Sequence, residues 1–255
     1  MKKRWIGVMA GMMVGLGTVG AGPVRGEVAM DGAVLSSYVW RGQVLNDRAV
    51  FQPGLTASAG GFSVNAWSSM NLDGTETDGE FTEMDWTVSY SQAVGPVELG
   101  AGVVQYTFPN STIEAEDGTV SAYPGTVEVF VSVGVDMWLA PSLTMYYDVD
   151  EIEGFYAVAS IGHSFEWTEK VAMDVSASLG FGDKDYNAGY FGHDQAALND
   201  LVLGAALPMA ITENIRLIPS VSVMMLPDSS LGDAAKAVYG EKDRVVGGLA
   251  LSGTF

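Results

Sequence analysis

The chain has no cysteine, few basic residues and only two histidines. Among its 255 residues, Lys and Arg together number 12 against 31 Asp and Glu, a net charge of −19. The missing cysteines exclude a disulfide scaffold and thiol chemistry. With two well-separated histidines, His163 and His193, they also exclude a zinc cluster. A charge this negative argues against nucleic acid as a partner, because phosphate contacts need clustered Lys and Arg. Disorder is excluded from the other side: 48% of residues are apolar, with 6 Trp, 10 Tyr and 10 Phe.

The one basic run, Lys2-Lys3-Arg4, precedes the apolar segment Trp5 to Val19 and small residues up to Gly26. That order is a secretory signal peptide, expected over residues 1–26, and its 15-residue apolar segment is too short to be a membrane-spanning helix. Gly15-Leu16-Gly17-Thr18-Val19-Gly20 fits a dinucleotide fingerprint in spelling only, having no strand before it and no helix after. Losing Lys2, Lys3, Arg4 and Arg25 with the leader would leave residues 27–255 more acidic still.

No run of 18 apolar residues follows, and no helical period. Alternation recurs instead. In residues 171–182, Val171, Met173, Val175, Ala177, Leu179 and Phe181 fall on one face, with Asp174, Ser176, Ser178 and Gly180 on the other. A side-chain period of two is the signature of a strand. Twelve strands are read near 33–42, 52–59, 62–70, 81–91, 97–108, 125–136, 142–149, 154–166, 170–182, 199–211, 215–226 and 243–255. Most have the roughly 9–11 residues that cross a bilayer at a tilt. Connections alternate short and long, with only the one after strand 7 breaking the pattern. The expected fold is all-β: a single antiparallel up-and-down transmembrane barrel with short periplasmic turns and longer outer loops, in a bacterial outer membrane. The last strand ends on Phe255, like the terminal signal read by outer-membrane assembly machinery.

Tyr38-Val39-Trp40-Arg41-Gly42, followed by Pro53 and then Trp67-Ser68-Ser69, resembles the Gcw-chp group of bacterial outer-membrane proteins. That group shares an aromatic-x-aromatic-Arg-Gly start and a Trp-x-Ser strand. The resemblance implies the barrel and supplies no catalytic residues.

Alternation then assigns faces. With strand 1 over 33–42, Tyr38 and Trp40 face lipid as membrane-interface aromatics and Arg41 faces the lumen. The same bookkeeping lines the pore with Arg41, Glu83, Asp85, Glu128, Asp148 and Arg244 in an outer layer, and Glu98, Asp174 and Arg216 in a lower one. Arg41 and Arg244 become neighbours across the strand 12–strand 1 seam, opposite the acids, giving a transverse field of the kind pores use to select ions. Strands 9 to 12 add small inward residues, so the lumen leans towards a narrow aqueous path. The alternative is a closed barrel whose charges pair internally and whose acidic loops bind surface lipid, divalent ions or an envelope partner.

Asp183, Asp185, Asn187 and Asp194 alternate in the manner of a calcium loop, although Gly189 sits one place late and the last ligand is Asp. No nucleophile–base pair is found: adjacent His163 and Ser164 point to opposite faces of a strand. The expectation is a passive pore for small solutes that favours cations, with no reaction, no cofactor, and outer-membrane lipids as surroundings.

Overall fold

The computed structural model describes residues 26–72, 77–114 and 120–255. The expected leader, 1–26, lies outside the described residues except for Gly26. Twelve antiparallel strands form the wall: β1 (Glu27–Leu35), β2 (Val50–Ala59), β3 (Phe62–Asn71), β4 (Phe81–Val94), β5 (Val97–Thr107) and β6 (Thr126–Val135). They continue as β7 (Ser142–Asp148), β8 (Phe155–Glu166), β9 (Ala172–Gly182), β10 (Ala197–Ala206), β11 (Ile215–Met225) and β12 (Asp243–Thr254). Each pairs with its neighbours in sequence, and β12 returns to β1 from Ala29↔Thr254 to Leu35↔Gly248, closing the barrel without a free edge.

The wall alternates as its sequence does. Trp86, Val88 and Tyr90 of β4, Val129 and Val131 of β6, Leu179 and Phe181 of β9, and Val245, Leu249 and Leu251 of β12 are exposed on the outside. Between them Thr87, Ser89, Glu128, Ser132, Asp174 and Val246 are buried inside. One end carries the tight turns, including Gly60-Gly61 and Gly95-Pro96; the other carries the long connections. Aromatics collar the turn end: Phe62, Tyr90, Trp138, Phe165, Trp167 and Phe255 are all exposed there.

Strand 1 differs from the sequence reading. The wall strand is Glu27–Leu35, and Leu35 pairs directly with Val50 of β2. Residues 36–49 are therefore extra chain with no place in the wall. They turn inward as a separate hairpin, Tyr38–Trp40 against Gln43–Asn46. Tyr38–Trp40, read as part of the strand over 33–42, is extended but does not belong to the wall, and Arg41-Gly42 is a turn.

Two long connections hold helices. α1 (Lys184–Phe191) follows β9, capped by the Asp183 carboxylate accepting from Tyr186 N–H and ended by left-handed Gly192. α2 (Ser229–Tyr239) follows β11, capped by Asp228 and ended by left-handed Gly240. Both pack at the loop end, where Phe191, Leu231 and Ala235 join a buried cluster with Trp40, Tyr106, Phe130, Tyr146, Tyr156 and Tyr186. The apolar core of this molecule thus lies within the loop-end half of its own lumen.

Candidate functional site

The inner hairpin turns at Trp40-Arg41-Gly42-Gln43, where Trp40 pairs with Gln43 across a two-residue loop. Both central residues have positive φ, Arg41 at 46° and Gly42 at 86°. This is the primed geometry that matches strand twist, and it asks for glycine at its second centre. A Cβ on Gly42 would also stand 2.8 Å from Leu226 Cδ2. The Arg-Gly pair in the aromatic-x-aromatic-Arg-Gly stretch is thus the tip of a plug.

That tip carries Arg41 across the lumen. Its Nη1 and Nη2 donate to the two carboxylate oxygens of Glu128 on β6, at 2.7 and 2.8 Å. The guanidinium carbon lies 4.5, 4.1 and 4.4 Å from the ring centres of Trp40, Tyr146 and Tyr156. A planar, weakly hydrated cation suits both the forked carboxylate contact and the aromatic faces. Glu128 also accepts from the Tyr106 hydroxyl at 2.7 Å. With 9% and 1% of their side chains exposed, Arg41 and Glu128 form a buried pair.

Other carboxylates ring this pair. Asp148 of β7 accepts from Thr126 Oγ1 and from the backbone N–H groups of Asp150 and Ile152. Asp200 of β10, which sequence reasoning missed, accepts from the Tyr156 hydroxyl at 2.8 Å. It lies by a register shift opposite Gly180, where a Cβ would collide with Asp200 and Tyr156. Glu83 and Asp85 of β4 are buried beside Tyr38.

α1 and α2 close the lid. Tyr190 of α1 meets Trp40 edge-on with ring centres 5.4 Å apart. The Tyr239 hydroxyl of α2 is shared between Gln43 Oε1 and the Tyr190 carbonyl, each 2.7 Å away. Burial pushes the Tyr190 and Tyr239 hydroxyls above their ordinary range, so they stay protonated. Outside this lid, between the hairpin's return arm and the end of α2, Val44, Asn46, Asn71, Thr77, Tyr239 and Glu241 line an open recess of about 550 Å³.

The turn-end half of the lumen is different. Ser63, Asn65, Ser160, Ser178, Gly204, Ser220, Ser222 and Ser252 point inward and are partly exposed. Glu98 lies here, half-exposed; so do Asp174 and, within its electrostatic reach, Arg216. This half is a vestibule lined by small polar side chains.

Three expectations are corrected. Tyr38 and Trp40 are 7% and 8% exposed and sit inside the barrel, not at a membrane interface, because their hairpin is not part of the wall. The aromatic collar comes instead from the turn-end residues. Arg41 does not stand beside Arg244 as a basic wall: it crosses to the acids and pairs with Glu128. Arg244 stays at the rim, donating to Ser37 Oγ, to both Glu241 oxygens and to the Asp47 carbonyl. The calcium-like spacing is a helix start. Asp183 caps α1, the Asn187 amide donates to the Gly182 and Gln195 carbonyls, and Asp194 pairs with Lys184 at 3.3 Å while Asp185 is exposed. Those groups do not converge, and no cluster of three acidic or histidine side chains suited to a metal occurs among the described residues. Signals for both helices were present, an Asp cap and a closing Gly at either end of each.

A family model described as "Bacterial protein of unknown function (Gcw_chp)" matches residues 19–206. None of the curated proteins matches the chain. Solved structures similar to it include the NanC porin, 11% identical, covering 89% of this chain and 98% of that one, with a TM-score of 0.49. An outer membrane channel from Pseudomonas putida F1 is 10% identical, covering 90% and 94%, also at 0.49. The outer membrane channel DcaP of Acinetobacter baumannii is 9% identical, covering 91% and 96%, at 0.39.

Proposed function

The chain belongs to the Gcw_chp family of bacterial proteins, and from its divided lumen we propose that it is a porin-like outer-membrane barrel with a plugged, cation-favouring path for small solutes. The apolar outer belt, the aromatic collar and the closed twelve-strand wall fit a bilayer setting. By this reading the turn end and Phe255 face the periplasm and the helices face outward.

The observation that carries the reading is how the plug is built. Its two short strands form a sheet of their own, separate from the wall. The hairpin is held in the lumen by side chains, above all Arg41 on Glu128, so it can leave without breaking a single wall ladder. Behind it lies a polar vestibule of the kind an aqueous path needs. Acids outnumber bases along the lumen, which favours cations over anions. The reading assigns the protein no reaction.

Single-channel recording in planar bilayers tests it. Replacing residues 37–46 by a short Gly-Ser turn should raise conductance severalfold over the intact protein, with cation-selective reversal potentials. If the folded deletion variant gives no conductance steps, the pore reading fails. The closed-barrel reading would then take its place; the buried Arg41–Glu128 pair and the α1–α2 lid are the features that favour it.

A further inference from the structure

Three of the five carboxylates buried in the loop-end lumen, among Glu83, Asp85, Glu128, Asp148 and Asp200, are met by hydrogen bonds from the protein itself. Glu128 has Arg41 and Tyr106, Asp148 has a hydroxyl and two backbone N–H groups, and Asp200 has Tyr156. Asp85 is the clearest exception. It is 1% exposed, and neither carboxylate oxygen has a hydrogen-bond partner in the protein. Its side chain projects into the lumen from β4, flanked in register by Trp67 of β3 and Tyr106 of β5. The cation in its electrostatic surroundings is Arg41, whose two terminal nitrogens are already engaged by Glu128. A buried charge without donor or counter-ion is among the costliest groups a fold can hold. Something must meet it.

We propose that Asp85 and Glu83 bind a small monovalent cation, sodium or potassium, against the inner hairpin. Two residues apart on one strand, the two carboxylates share a face and look into the same space. The Tyr38 hydroxyl, buried beside this pair and without a hydrogen-bond partner of its own, offers a third hard oxygen. Calcium would want six to eight oxygens, and no third carboxylate joins this pair in a metal-like cluster among the described residues. An organic cation would need room that the near-complete burial of Asp85 and Glu83 denies. The ion would tie β4 to Tyr38, so the plug has a second fastening beside Arg41–Glu128. This rests on the cation-favouring reading for its part in passage, but binding requires only the folded barrel.

The test uses the full chain refolded in detergent. Its thermal unfolding midpoint is measured in sodium, potassium and N-methyl-D-glucamine chlorides at fixed pH and ionic strength. The alkali salts should raise the midpoint by several degrees, saturably. Asp85→Asn should abolish the difference, and Asp150→Asn, at an exposed acid, should retain it. Sodium-23 NMR line broadening, competed by potassium, gives a readout on the wild-type protein if Asp85→Asn fails to fold; Glu83→Gln should then weaken sodium binding at least tenfold. Identical midpoints in all three salts would overturn the site. So would a midpoint that follows pH but not the cation, since Asp85 would then carry a proton. Sodium binding in a barrel that never conducts would keep the site and sink the pore, and conductance without sodium binding would do the reverse.

Discussion

Removing the Arg41 side chain should unseat the plug while leaving the wall intact. In Arg41→Ala, Glu128 stays behind the hairpin with one hydroxyl in place of two charged donors. Breaking a buried ion pair from one side costs about 3–5 kcal/mol. Loss of three aromatic faces around a desolvated cation adds up to about 2 kcal/mol. The barrel can avoid most of this cost, because withdrawal of the hairpin lets water reach Glu128. The penalty therefore falls on the plugged state, not on folding. A loss of about 3 kcal/mol shifts the plugged-to-open ratio by roughly a hundredfold. Hydrogen exchange followed by mass spectrometry should show faster exchange across residues 36–49 with unchanged exchange in β1 to β12. Bilayer recordings should show a higher open probability. Arg41→Lys, which keeps charge but not the fork or the flat face, should fall between. A double-mutant cycle with Glu128→Ala should return a coupling of about 3 kcal/mol. If Arg41→Ala leaves both exchange and gating at wild-type levels, the pair is not what holds the hairpin.

Gly42→Ala should loosen the same element, because it meets a positive φ and the Leu226 methyl together; faster exchange of residues 36–49 checks it, at a cost of about 1–2 kcal/mol for the backbone alone. Gly102→Ala acts on the wall: its Cβ would stand 2.6 Å from both the Phe130 ring and the Val88 carbonyl, so the folded, heat-modifiable fraction on gels should drop sharply. The absence of cysteine makes accessibility simple to read. Ser222→Cys and Ser178→Cys in the vestibule should react with a water-soluble thiol reagent, whereas Ser69→Cys, at a fully buried position, should react only when Arg41→Ala is added. Equal labelling of all three single variants would remove the division of the lumen.

Much of the wall was legible because a strand has the simplest code. Period two assigns inside and outside residue by residue, and Glu83, Asp85, Glu128, Asp148 and Asp174, read as inward, are buried. What it could not give was the third dimension of "SSYVWRGQVL". A hairpin inside a barrel and a strand in its wall alternate identically; only the pairing of Leu35 with Val50 separates them. "EVAMDGAVL", the true first strand, carries Glu27 and Asp31 and reads weakly beside the aromatic run that follows. The Arg-Gly dipeptide was the available sign of a tight turn. The inward tyrosines escaped for another reason: Tyr106, Tyr146 and Tyr156 are lumenal core, and aromatic side chains in a membrane barrel are expected at its outer collar. Asp200 was hidden by a bulge that shifts the register between Leu179 and Phe181.

The root of the hairpin sits on the seam. Ser36 exchanges hydrogen bonds with Gly247 of β12, and Arg244 of the same strand holds Ser37 and the Asp47 carbonyl. A single strand, β12, thus both completes the cylinder and grips the stopper by its neck. A barrel in which β12 has not met β1 has an open side and a hairpin without these contacts at its neck. The pairing of β12 with β1 therefore closes the wall and fixes the neck of the hairpin with one strand.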